Sequence, residues 1–434
     1  MHSEESDEWR RKTHEYAAAI NDYVARGQRL GWKRVGKEPP DPGRDHLTEA
    51  ALAAVRLANE RGTLEQLRGE WPPAYEPLIP LLKQNGQGIP VACILDDGSI
   101  VARVGAPYEA GRTVRIEDEV VVEVSGMGFF GRSPDRRLFA VARRDGVQIR
   151  DGWGGREIKV CRWPTGLEGI PEGYRLRPLA KAPIATQLIP FPDGERVLLV
   201  SDEGIFVLSE SDARRLLPEK EVLKELLQDE PSGDSSACTI DMGHAAVSRD
   251  GRLIAVGSQD SEHLIFDPEL NLVGRIGSYS EYPHYSLFSA NDAVVAFNSC
   301  HFYNGVTIGV AIEHLPLTTE PYEADGRVRT LQDGARVYAG AARGDELIIG
   351  DAYGYVRALS TTGEYRWQQF IGSTIGAMDV SSDNRKLVVT TYAGLISIFD
   401  LDAGRQEPHQ IGDGGHLDVR RWLFWRNEAK PLIW

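Results

Sequence analysis

Seven short turns, each set between two apolar runs, constrain this chain more than any other feature. They fall at Asp97-Gly98, Pro134-Asp135, Asp193-Gly194, Asp250-Gly251, Asn291-Asp292, Gly344-Asp345 and Asp383-Asn384. Asp, Asn and Gly tolerate positive φ or bond their own backbone, which tight strand-to-strand turns require. The flanking runs, such as "AAVSRDGRLIAVG" and "LIPFPDGERVLLV", carry the two-residue period of strands. The second residues of successive turns stand 37, 59, 57, 41, 53 and 39 residues apart. The short spacings fit one four-stranded unit. The long ones leave room for inserts near 164–184, 209–236 and 312–332. In the second insert Val222, Leu223, Leu226 and Leu227 form one helical stripe.

A seven-fold repeat of this period predicts an all-β seven-bladed β-propeller over residues 86–434. A ring leaves strand edges exposed unless it closes. The aromatic tail at 420–434, "RRWLFWRNEAKPLIW", is expected to close it by pairing with the first or last blade. Residues 1–85 read differently, as a small α-helical N-terminal extension. Trp9, Tyr16, Ile20 and Tyr23 recur at helical spacing, and "EPPDPG" at 38–43 breaks the helix. A second helix is expected from Thr48, stopped by Gly62. "TLEQ" at 63–66 predicts a capping box, with Thr63 accepting from Gln66 and Gln66 reaching back. The extension is expected to lie against the propeller; a partner-docking or dimerising hairpin is the alternative.

Two blades show family character. "HAAVSRDGRLIAVGSQDSEHLIFDPE" resembles a WD40 blade, with Asp260 at the b–c turn and Phe266 in the place of the family tryptophan. "GDELIIGDAYGYVRALSTTGEYRWQQF" is similar to blades of pyrroloquinoline-quinone proteins. The resemblance covers residues 88–405 at the level of blade pattern. It implies a propeller that serves as a protein-binding scaffold. A quinone-dependent dehydrogenase is a further class, but it is normally exported, and no cofactor is expected.

In such a ring the a–b turns lie on one rim, and the b–c turns share the other with the approaches to strand a. "ARRDG" (142–146), "VSDEG" (200–204), "GDAYG" (350–354) and "TTYAG" (390–394) each reach their glycine 9 to 11 residues after the a–b turn. In the fifth blade that glycine is Gly305, 13 residues on. The stretch "NSCHFYNG" (298–305) is therefore expected to be a lengthened b–c loop tipped by Cys300, His301, Phe302 and Tyr303, with Asn304 beside them. Asp241 and His244, His284 and Tyr285, and Asp260 are expected on the same rim of blades four and five. These ten residues form the candidate binding rim.

Three readings of that rim compete: loop-satisfying side chains, a recognition patch for a protein or peptide, and chemistry. A Cys300 nucleophile would need His284 or His244 as base, because His301 points the other way on an extended chain. A metal could use His244, His284 and His301 with Asp241, but no HExxH spacing supports it. No catalytic set is assigned. The leading expectation is a protein-interaction scaffold, a subunit of a larger bacterial assembly. A hydrolase or lyase, metal-assisted in one version, is the alternative.

Composition excludes some partners. A net charge of −15 repels phosphate backbones, so nucleic acid is not expected. No apolar run is long enough to span a membrane, and "MHSEESDEWRRK" has no secretory core. Four scattered cysteines without a CxxC pair fit a reducing cytoplasm. The oligomeric state is left open.

Overall fold

The computed structural model describes residues 3–229 and 238–434. Among these, the strands form seven sheets around a central channel, each with a core of four antiparallel strands; in blade 5 the strand Leu317–Thr318, which joins blade 4, interrupts the sequence order. The seven-bladed propeller expected from the turn spacing is therefore the fold. The blades span 91–123, 130–161, 187–217, 244–276, 282–333, 337–370 and 375–423. Two carry a fifth strand: Leu317–Thr318 runs parallel to the outer strand of blade 4, and Leu432–Ile433 pairs outside blade 7.

Six of the seven a–b turns lie where the sequence placed them, and the second is one residue away. Four share one local device. In Ser133-x-Asp135, Ser248-x-Asp250, Ser289-x-Asn291 and Ser381-x-Asp383, the serine hydroxyl accepts the amide five residues on and bonds the Asp or Asn. That satisfies the turn internally, so hairpins with this motif form from local sequence. The second turn is shifted by one residue: positive φ falls on Arg136 and not Asp135.

The inserts are shorter than the spacings imply, because two of them contain the outer strand of their own blade. Residues 213–217 complete blade 3, and 328–333 complete blade 5. The predicted 209–236 helix runs over Lys220–Asp229; 230–236 lies outside the described residues. Its Leu223 and Leu227 bury against Ile170, Tyr174 and Leu176, so the first two inserts pack on each other.

The N-terminal region holds helices α1 (Glu4–Leu30), α2 (Thr48–Arg61), α3 (Leu64–Glu70) and α4 (Ile79–Asn85). Gly62 takes the left-handed stop, φ 68°. The capping box at 63–66 does not form. The Thr63 amide, which Gln66 would have to bond, already closes α2 through the Ala58 carbonyl, and Gln66 donates to Glu70 instead. One glycine between two helices leaves too few amides for both caps.

Trp9, Leu52, Val55 and Trp71 of this region share one core with Ile94 and Ile100 of blade 1 and with Trp422, Phe424 and Trp434 of blade 7. Trp434 stacks on Trp9 at 6.3 Å and donates its indole N–H to the Trp71 carbonyl at 2.6 Å. The aromatic tail thus pairs with blade 7 and holds the helices there. Among the described residues no strand is exchanged between the first and last blades. Blade 7 meets blade 1 through Asp379, which accepts from the Ile94 amide and from Arg132 and Arg136 of blade 2, and through Thr390 and Thr391, which bond the Ile89 backbone just ahead of blade 1.

Candidate functional site

The fifth-blade hairpin departs from the loop expected for "NSCHFYNG". Strands Val294–His301 and Asn304–Ala311 stay paired to the end, His301 opposite Asn304, so only Phe302 and Tyr303 turn. Phe302 adopts φ +53°, a conformation an L-residue takes only in such a tight turn. The hairpin lifts both rings clear: Phe302 is 74% exposed and Tyr303 60%.

Strand alternation decides its other residues. Cys300 faces inward and is fully buried, and burial raises its thiol above the ordinary value. It is not a rim group, and a raised thiol is a poor nucleophile. His301 faces out and bonds Glu281 through Nδ1 at 2.6 Å, with the Phe302 ring edge-on at 4.6 Å. Asn304 accepts from the Tyr353 hydroxyl at 3.3 Å.

His244 and His263 do meet, edge to face at 5.8 Å, but both are buried, and His301 stands apart on the surface. His244 is buried, not rim-exposed; its Nδ1 bonds the Met242 carbonyl, and burial lowers its pKa to about 4. His263, stacked on Phe297 at 4.6 Å, bonds Ser299 and joins blade 4 to blade 5. His284 is engaged at both nitrogens, by the Val337 carbonyl at 2.6 Å and by Arg336 at 2.9 Å. Burial, and then the Arg336 charge, lower it to about 3. Among the described residues no group of three or more His, Cys, Asp or Glu is placed to hold a metal ion. The set His244, His284, His301 and Asp241 is therefore not a metal site.

Asp241 and Asp260 are exposed, on adjoining loops tied by the Gln259 amide to the Asp241 carbonyl at 2.8 Å. Tyr285 is not on the rim. It lies inside the ring, across Gly340, and lines the central channel of about 870 Å³ that opens among the a–b turns.

The rim gains residues that the histidine pattern hid. Tyr353 and Tyr392 turn the b–c loops of blades 6 and 7, and Tyr108 stands in the blade 1 loop. They are 46%, 40% and 60% exposed. Tyr353 packs on Tyr303 at 5.6 Å, and Tyr392 lies 6.1 Å from Tyr338. Tyr338 carries the Arg336 guanidinium over its face at 4.9 Å. Burial, and then the Asp202 and Asp241 carboxylates, raise the Tyr108 hydroxyl. The available signal was the tyrosine at the tip of both "GDAYG" and "TTYAG".

No protein-family pattern matches the chain, and no curated protein does. Among solved structures the chain is similar to the computationally designed Ika8 protein, at 12% identity and a TM-score of 0.45. The likeness covers 72% of this chain and 96% of that one. No helix among the described residues is long and apolar enough to cross a membrane.

Proposed function

We propose that the chain is a protein-recognition scaffold whose binding face is the b–c rim of blades 5, 6, 7 and 1. The observation that carries this reading is the aromatic row itself. Phe302, Tyr303, Tyr353, Tyr392 and Tyr108, 40–74% exposed, come from four consecutive blades and stand on one rim. Exposed tyrosine offers large contact area at low entropic cost, and it is a residue type that dominates interface hot spots. A rigid ring holds these side chains without further ordering, which favours binding. Of the imidazoles expected to do chemistry, His284 is engaged at both nitrogens, His301 pairs with Glu281, and His244 is buried away from the rim, which supports the recognition reading. The four cysteines are buried with free thiols, which supports a reducing cytoplasmic setting for the assembly this subunit joins. A bacterial origin is part of the same proposal, supported only by richness in Ala, Arg and Gly.

The test is affinity recovery of a stoichiometric partner with the wild type, with a Tyr303→Ala/Tyr353→Ala variant, and with Arg252→Ala on the opposite rim. Two hot-spot rings at about 2 kcal/mol each predict a loss of roughly 1,000-fold for the first variant. Arg252→Ala is expected to bind as the wild type does. Equal recovery from all three would remove the rim from the binding face.

A further inference from the structure

Outer strands of a propeller are open sheet edges, and proteins guard such edges with cations, above all Lys, or with cover. This chain does so on six blades. The outer strands of blades 2, 3 and 5 carry Lys159, Arg214 with Arg215, and Arg329. Blades 4 and 7 have a fifth strand, and residues 411–413 cover the edge of blade 6. Blade 1 is the exception. Its outer strand, Val120–Glu123, reads Val-Val-Val-Glu, contains no cation, and has no second neighbour among the described residues. Val120 and Val122 are 62% and 55% exposed.

The register fixes what is on offer. The Val124 amide bonds the Thr113 carbonyl, so by alternation Val120 and Val122 turn their backbone groups inward to the neighbouring strand. Val121 and Glu123 turn theirs outward. An added strand meets those groups, sets two side chains against Val120 and Val122, and sets two more opposite Glu119 and Glu123. Asp118 and Glu123 form no ion pair among the described residues, whereas Glu119 reaches Arg420 at 3.0 Å. A second copy pairing antiparallel about Val121 would set Glu119 against Glu123 twice, and like charges directly opposite repel. Beside Val121 and Glu123 lies a groove of about 420 Å³, lined by Trp425 and Pro431 and by the charged Arg112, Arg426, Lys430 and Glu428.

We propose that the open edge of blade 1 is a second recognition site, which takes an extended peptide of a partner protein as an added strand, with basic residues flanking an apolar-x-apolar centre. The site is separate from the aromatic rim and does not depend on it.

Two synthetic peptides test this: one with lysines flanking Val-Thr-Val, and one with glutamates in their place. The lysine peptide is expected to bind and to slow amide exchange at Val121 and Glu123. The glutamate peptide is expected to bind roughly ten-fold more weakly, from two reversed cross-strand pairs. Glu123→Lys, on the surface, is expected to narrow that preference several-fold with an unchanged melting temperature. Val122→Lys weakens the lysine peptide while the fold stays intact. The proposal is overturned if neither peptide binds, if both bind equally, or if protection appears at other strands. Protection of Val121 and Glu123 that grows with protein concentration alone would assign the edge to a second copy, and would also overturn it.

Discussion

Replacing Asp379 by alanine tests how this ring closes. The Asp379 side chain is 12% exposed and Arg132 beside it 10%, so the pair is nearly out of water. Asp379 accepts from the Ile94 amide at 2.7 Å, from Arg132 at 2.6 Å and from Arg136 at 3.1 Å. Removing one partner of a buried ion pair costs about 3–5 kcal/mol, because the remaining charge is left uncompensated. Here Arg132 keeps its bond to the Ile94 carbonyl at 2.8 Å, and Arg136 keeps one to the same oxygen at 2.9 Å. The loss should therefore fall at the lower end, about 3 kcal/mol. Asp379→Asn retains an acceptor for the Ile94 amide and should cost about 1–2 kcal/mol. Urea unfolding at pH 7 reads both as midpoint shifts at constant slope. Amide exchange at Ile94 should quicken in the alanine variant. A loss under ~1 kcal/mol for Asp379→Ala, the size of a surface pair, would show that the seam is held elsewhere.

Two further outcomes follow from buried groups. His244 titrates near 4 in the folded chain against 6.5 ordinarily, so the unfolded chain takes up the proton first as pH falls. Its contribution is complete above about pH 6.5 and is lost toward pH 4, roughly 2 kcal/mol by pH 5. Urea midpoints at pH 5 and 7 should draw closer by that amount in His244→Gln, and an unchanged gap would contradict the assignment. Trp434→Ala empties the contact with Trp9 and Trp71 and should cost about 3–5 kcal/mol, with faster exchange in α1; wild-type stability would mean that the tail does not hold the helices.

Local sequence carried the ring. The Ser-x-Asp and Ser-x-Asn turns satisfy themselves within six residues, and the apolar alternation on either side needs no distant partner to be read. The α2 stop at Gly62 is local in the same way. The capping box at 63–66 failed for an equally local reason: the α2 stop claims the Thr63 amide through the Ala58 carbonyl, five residues back. The candidate site was legible only in part. That Phe302 and Tyr303 tip a b–c hairpin follows from spacing. Which of His244, His284, Tyr285 and Cys300 faces solvent depends on strand register and on the blades packed alongside, and those buried all four in whole or in large part.

By itself, then, the sequence determined seven strand-turn-strand units and the rim to which each loop belongs, because both follow from short-range periodicity. Only the tertiary structure decided that His263 and His284 are spent on blade-to-blade bonds, that tyrosines from four blades share one face, and that one valine edge has no second neighbour among the described residues. Each of these depends on contacts between residues far apart in the chain, and no local period encodes them.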